Sequence, residues 1–367
     1  MSIQATRAYA QNHDELCNSI MANPENTMLV EGHMGSGKTT LLKMLGEKTK
    51  YPTFYVDCTT LDLGDIMIPK INRLDGEDFV SYAINEAFGL HFKDKPIVVM
   101  CDEYGKANNS VKLGLTRFLL ERMLGNYKLH PKSLLFATTN LSAEGVGDML
   151  QAHQCDRITV AEMRKPTSEE WITWGINNES NPIDHNVLGF AKDFTSIFDD
   201  FRDVKNPDDN PYIFHPQAVG RSKFVTARGL EKASNWLKVR DKLSDNSLMS
   251  NLIGTIGERG ALDLMSFVKL ADQMPTRQEI LDDPKTAKIP DSASAVCMVV
   301  FRSLSTMDKD YINPWMIYLD RLDAEAQGMF ANGVRDGKYS KQSLVMTNKK
   351  FTEWAMKNNH MFASDIK

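Results

Sequence analysis

No two cysteines in this sequence stand at the spacing of a metal clip. The five, Cys17, Cys58, Cys101, Cys155 and Cys297, are scattered singly, and no Cys-x-x-Cys or His-x-x-x-His pair occurs, which argues against structural zinc. The start, MSIQATRAYAQNHDEL, lacks a basic stretch followed by an apolar run. Dispersed thiols without a secretory leader are expected to be reduced, in a cytoplasmic protein. Apolar runs are no longer than a strand, so no membrane span is expected. Excess positive charge is missing too: 43 Lys and Arg stand against 48 Asp and Glu, for a net charge of −5. A protein whose main task is to wrap nucleic acid carries the opposite balance, so nucleic acid is not indicated as a partner. Internal repeats and low-complexity tracts are absent as well.

What remains is a chain of ordinary globular composition, 42% hydrophobic and 25% charged over 367 residues, long enough for two or three structural units. Through about residue 165, short β-branched runs alternate with longer helical patterns, the mark of a parallel α/β sheet. Strands are expected at Thr27–Glu31, Thr53–Asp57, Pro96–Cys101, Ser133–Thr138 and Arg157–Val160. Helices are expected at Lys38–Lys48, Glu77–Phe88 and Asn109–Leu124. The runs IVVMC and SLLFAT are nearly continuous in apolar residues, as strands buried on both faces must be. Pro166 then closes the α/β region, and Thr167 or Ser168 can cap a helix whose first turn carries Glu169 and Glu170. The expected units are a core over 1–165, a helical domain over 166–281 and a linker with a C-terminal helical extension over 282–367. A polar loop at 203–216 interrupts the second, and the Pro- and Asp-rich stretch 282–294 opens the third.

The chemistry is concentrated in the first unit. An apolar strand runs into Gly32-His33-Met34-Gly35-Ser36-Gly37-Lys38-Thr39 and then, from Thr40, into a helix. Strand, GxxxxGK[ST], helix is a phosphate loop in its required context. Glycines let backbone N–H groups turn inward around phosphates, and the helix N-terminus adds positive potential. Lys38 is expected at the β- and γ-phosphates of ATP, and the Thr39 hydroxyl on Mg²⁺. A second acid must hold the metal from a neighbouring strand, and Ile97-Val98-Val99-Met100-Cys101-Asp102-Glu103 supplies it. Asp102 is the expected Mg²⁺ acid and Glu103 the base that polarises water.

Three further residues are candidates by position. Asn140 ends the strand Leu134–Asn140, where its amide could bond both a phosphate oxygen and the lytic water. Arg157, in Gln154-Cys155-Asp156-Arg157-Ile158, stands equally as a finger for a neighbouring subunit's site or as a surface ion-pair partner. Arg228, in FVTARGL, could bind the γ-phosphate from the helical domain, with Arg221 and Lys223 as close competitors.

Together these landmarks resemble the AAA+ superfamily and, within it, the MoxR-like ATPases. The resemblance runs from about Glu25 to Pro290 and rests on GHMGSGKTT, VDCTTLDLGDIM, IVVMCDEYGKAN, GNYKLHPKSLLFATTN, DRITVAEMRKPTSEEW, FVTARGLEKASNWL and GTIGERGALDLMSFVKLADQMPTRQEILDDPKTAKIPD. It implies an αβα core with strand order 5-1-4-3-2, a helical lid and a hexameric ring. It makes Asn140 the sensor 1 position, Arg157 the arginine finger and Arg228 the sensor 2 arginine. Ile158 replaces the family's usual Phe, and the Pro that often precedes the sensor 2 arginine is missing. The resemblance also implies ATP-driven remodelling or maturation of a protein complex, commonly with a separate partner bearing a von Willebrand A domain. No Asp-x-Ser-x-Ser metal site of such a domain occurs in this chain. A family insertion that lines the ring's pore would fall within Leu63–Gly76, which could equally be a plain loop. A nucleic-acid motor or loader is the alternative function. The aromatics Tyr311, Trp315, Tyr318, Phe351 and Trp354 are expected to form the core of the C-terminal helical segment rather than to anchor a partner.

Overall fold

The computed structural model describes residues 7–144, 158–272 and 274–361. The chain divides into two compact units at the Lys165–Pro166 junction.

In the first unit, α1 (His13–Ala22) precedes β1 (Met28–Gly32), α2 (Thr40–Thr49) and β2 (Thr53–Asp57). A one-turn helix, α3 (Leu63–Ile66), leads into β3 (Met67–Leu74) and β4 (Glu77–Ile84). Then come β5 (Val98–Asp102), α4 (Asn109–Glu121), the short strands β6 (Met123–Leu124) and β7 (Tyr127–Lys128), and finally β8 (Leu134–Asn140) and β9 (Thr159–Met163). Five strands form one parallel sheet in the order β2-β5-β8-β1-β9. Counted along the chain as core strands, that is 5-1-4-3-2, the expected order.

Side-chain alternation sorts the strand residues onto two faces. Met28, Val30, Val98, Met100, Leu134 and Phe136 meet Leu16 and Ile20 of α1 and Leu41 and Leu45 of α2. Leu29, Val99, Cys101, Leu135 and Ala137 meet Val111, Leu115 and Phe118 of α4. Helices therefore cover both faces, which is why the central strands β5 and β8 are buried along their whole length. The register then fixes the working edge: Gly32 lies beside Asn140, and Asp57 beside Asp102.

One expected element is corrected. Glu77–Phe88 is not a helix: β4 pairs antiparallel with β3 as a hairpin, and only Glu86–Phe88 forms a 3-10 turn. Asp75 and Gly76 both take positive φ, 52° and 88°, so the Asp-Gly pair makes the tight turn that two-residue hairpins favour. Phe79, Val80 and Tyr82 add strand propensity. The stretch Leu63–Gly76 is accordingly one turn of helix followed by the first hairpin strand and its turn. The expected helix Asn109–Leu124 also stops early, because Arg122 takes φ 59° and the chain turns back into β6 and β7.

In the second unit, Thr167 caps α5 (Ser168–Asn177), and Glu170 returns the bond to the Thr167 N–H. The helices α6 (His185–Asp193), α7 (Ala227–Leu237), α8 (Asp245–Ala271), α9 (Arg277–Asp282) and α10 (Ala293–Thr306) follow. The unit ends with α11 (Ile312–Leu319), α12 (Ala324–Arg335), α13 (Gln342–Met346) and α14 (Lys349–Lys357). Helices on either side of 282–294 share one hydrophobic cluster that reaches from Trp171 to Trp354. Tyr311, Trp315, Tyr318, Phe351 and Trp354 are all buried within it. Among the described residues, no helix is long and apolar enough to cross a membrane.

Candidate phosphate and metal site

The site is built where three strands of the first unit, β1, β5 and β8, end. After β1, Gly35 and Gly37 take φ 68° and 92°, conformations that side chains rarely tolerate. They turn the loop back on itself so that α2 begins at Thr40, with Thr39 at its N-cap. The Thr39 hydroxyl does not cap the helix. Close packing adds a second constraint, since a Cβ at Gly37 would stand 3.0 Å from His13 Nε2. That imidazole donates to the Gly37 carbonyl at 3.2 Å and ties the loop to α1.

Lys38 lies in the middle of this cradle and is 6% exposed. Its ammonium donates to Gly32 O at 2.8 Å, His33 O at 3.0 Å and Asn140 Oδ1 at 2.7 Å. The structure therefore joins the phosphate-loop lysine directly to the amide at the tip of β8. Burial pushes the Lys38 ammonium down to about 8, against the pull of Glu103, Glu144 and Asp102.

Asp102, at the end of β5, is 7% exposed. Its Oδ1 accepts from the Thr138 hydroxyl and, at 3.1 Å, from the Glu103 N–H. Its Oδ2 accepts from the Tyr55 hydroxyl at 2.9 Å. The next residue, Glu103, stands at φ 53° and ψ 33°, a left-handed conformation that costs a non-glycine residue about 1–2 kcal/mol. Such strain concentrates at functional sites. The Glu103 carboxylate lies 2.6 Å from Lys106 Nζ in an ion pair.

Glu144 closes the opposite side. It follows β8 by four residues and is 6% exposed. Its carboxylate accepts from the Met34 N–H at 3.1 and 3.2 Å and from His33 Nδ1 at 3.2 Å. The loop's first turn is thus held by the segment that follows the strand carrying Asn140.

The expected residues Gly32 to Thr40, Asp102, Glu103 and Asn140 all lie on this one sheet edge. Arg157 lies outside the described residues. Arg228 belongs to the second unit, in the first turn of α7, where Thr226 provides the N-cap. Its competitor Arg221 donates to the carbonyls of Asn210, Ile213 and Pro207 at 2.9–3.0 Å and so fastens a loop. Tyr55, Thr138, Lys106, His13 and Glu144 were not legible as site residues. Thr138 alone left a trace, since strand alternation puts it on the same face as Asn140.

The donor set suits the chemistry it would serve. Thr39 and Asp102 offer hard oxygen ligands of the kind Mg²⁺ takes, with room for water in the remaining positions. A positive-φ loop, a helix N-terminus and a buried ammonium suit the phosphates of a nucleotide.

Residues 28–162 match the family model described as the ATPase family associated with various cellular activities (AAA). The chain therefore carries an AAA family domain. No curated protein matches the chain. Among solved structures, a mutant of Thermotoga maritima RuvB is similar at 14% identity and a TM-score of 0.37, with 82% of this chain and 86% of that one covered. The Thermotoga maritima RuvB Holliday junction branch migration motor is 15% identical at a TM-score of 0.36, over 82% and 86%.

Proposed function

We propose that this chain is an ATP-hydrolysing AAA+ ATPase of the MoxR-like kind, which works as a ring, expected to be a hexamer, to remodel or mature a protein complex. The observation that carries the hydrolytic part is the meeting of Lys38, Asn140, Asp102 and Glu103 at one sheet edge, with Lys38 Nζ already 2.7 Å from Asn140 Oδ1. In this reading the loop N–H groups hold the phosphates. Lys38 exchanges Asn140 for a phosphate oxygen, and Asn140 turns to the same phosphate and the attacking water. Glu103 leaves Lys106 and accepts the proton of that water. Thr39 and Asp102 would hold Mg²⁺, which would supply charge neutralisation for the phosphates. Arg157 from a neighbouring subunit is assigned to charge developing on the transferred group, and Arg228 to the γ-phosphate from its own chain.

A protein client, rather than nucleic acid, is supported by the β3–β4 hairpin. It exposes Ile68, Ile71, Phe79, Val80 and Tyr82. Lys70 and Arg73 are outnumbered there by Asp75, Glu77 and Asp78. The register puts Ile71, Val80 and Tyr82 on one face of the hairpin and Ile68 and Phe79 on the other. Exposed apolar side chains with a slight negative balance suit protein contact better than phosphate backbones. A separate partner, of the von Willebrand A type that accompanies such ATPases, completes the proposal.

Glu103→Gln tests the hydrolytic reading. Nucleotide affinity should persist while turnover falls by about 10²–10⁴-fold, the usual contribution of a positioned base. Undiminished phosphate release would remove Glu103 from that role. Stimulation of turnover by DNA, lost at high salt, would favour the motor alternative.

A further inference from the structure

Tyr55 stands on β2, an edge strand, and is 46% exposed. Its neighbour Phe54 does the packing, edge-on to His91 and tilted against Phe92. Tyr55 instead reaches across the sheet edge. It is paired in register with Met100, two residues short of Asp102, so the contact with Asp102 is diagonal. Diagonal neighbours stand about 7–8 Å apart at Cα, within reach of a long aromatic side chain. The phenol spans that gap and donates to Asp102 Oδ2 at 2.9 Å.

The two oxygens of Asp102 are therefore fixed by different elements: Oδ1 by Thr138 of β8, and Oδ2 by Tyr55 of β2. With one anchor, a carboxylate can swing about the bond to its β-carbon. With anchors on both oxygens its plane is set. A metal ligand gains from such fixing, because partners that orient a ligating group raise its affinity for the ion.

We infer that Tyr55 is a positioning residue for the metal acid, setting the Mg²⁺ concentration at which this site takes up nucleotide. The inference rests on the ATPase reading and adds to it a residue outside both the phosphate loop and the acidic pair. Tyr55 touches neither phosphate nor water in this role. It acts through Asp102.

Tyr55→Phe keeps the ring on a half-exposed edge position and removes only the hydroxyl, so the fold should survive. The test titrates a fluorescent ATP analogue first in EDTA and then against rising Mg²⁺. In EDTA the variant and wild type should bind alike, since Lys38 and the loop are untouched. The half-saturating Mg²⁺ should rise by about tenfold, the low end for one hydrogen bond to a charged group, because water can partly replace the phenol at this half-exposed position. Mn²⁺ binding in the presence of nucleotide, followed by loss of the free-ion paramagnetic resonance signal, should weaken by the same factor. Superimposable Mg²⁺ curves for variant and wild type would overturn the inference and leave the ATPase reading intact. Equal losses of affinity in EDTA and in Mg²⁺ would also overturn it, by placing Tyr55 in nucleotide binding instead. A wild type that binds no nucleotide in either arm would overturn the ATPase reading, and this inference with it.

Discussion

The depressed pKa of Lys38 has a direct consequence for how ATP binding varies with pH. Burial holds this ammonium at about 8 in the nucleotide-free protein, against 10.5 for an ordinary lysine. Phosphates arriving beside it favour the charged form and lift the pKa again. Well below pH 8 the lysine is charged both before and after binding, and affinity is independent of pH. Above pH 8 the free protein has lost the proton that the complex needs, so binding takes one up. Affinity should then fall by about tenfold for each pH unit, or about 1.4 kcal/mol of binding free energy per unit. Between pH 7 and pH 9 the loss should be about tenfold, because the lysine goes from about nine-tenths to about one-tenth protonated.

Two other titrations are separable from this one. The last phosphate proton leaves near pH ~6, below the window. For folding the sign is opposite: between 8 and 10.5 the unfolded chain keeps a proton that folded Lys38 has lost, so Lys38 itself makes folding more favourable as pH rises. Weakened binding above pH 8 would therefore not report unfolding at this group. Isothermal titration in two buffers of different ionisation enthalpy, from pH 7 to 9.5, gives affinity and proton uptake together. Lys38→Arg, whose guanidinium stays charged throughout, should lose the pH dependence of whatever affinity it retains. Constant affinity and no proton uptake across that range would refute the reasoning.

Two further outcomes follow from the same geometry. Glu144→Ala removes the acceptor of the half-buried Met34 N–H and the buried partner of His33, so it should cost about 1–3 kcal/mol of stability, read as a lower melting temperature; an unchanged melt would show that the contact does not brace the loop. Arg157→Ala should bind ATP almost normally and hydrolyse it slowly, and mixing it with Glu103→Gln under demonstrated subunit exchange should restore partial activity. Exchange without rescue would place Arg157 within its own chain or require an undamaged ring.

What the sequence showed and what it hid divide along physical lines. Strand β2 was bounded correctly at Thr53–Asp57, and the buried runs of β5 and β8 to within two residues, because continuous apolar stretches flanked by polar residues are strong local signals. The phosphate loop was legible because its chemistry is contiguous along the chain. The β3–β4 hairpin was missed where residues 77–88 allowed a helical reading, although the Asp75–Gly76 turn carried the opposite signal. Tyr55 and Glu144 were invisible for a different reason. Each acts on a residue 47 or 110–111 positions away, and no local pattern encodes a diagonal reach across strands or a carboxylate returning to an earlier loop. The shared cluster of the second unit was hidden in the same way. The Pro- and Asp-rich stretch 282–294 looked like a linker, yet residues on both sides of it enter one core.

The polar and charged groups of the site hold one another. Lys38 bonds Asn140, Asp102 is fixed by Tyr55 and Thr138, Glu103 pairs with Lys106, and Glu144 holds Met34 and His33. Three of those pairings have consequences for catalysis. Lys38, Asp102 and Glu144 are buried, and such charges left unpaired would cost several kcal/mol each, so their contacts keep the site in shape. The Lys38–Asn140 and Lys106–Glu103 contacts must also be broken before the groups can act on a phosphate or a water. Nucleotide affinity is then a difference between two sets of bonds, and the groups that exchange partners are those expected to meet the γ-phosphate and its water. Asp102 is the exception. Its tyrosine and threonine donors can stay in place, because a carboxylate has lone pairs to spare for a metal-bound water. In the proposed ATPase reading, Asp102 would keep its partners while Lys38, Asn140 and Glu103 exchange theirs, which is the division of labour that a hydrolysing switch requires.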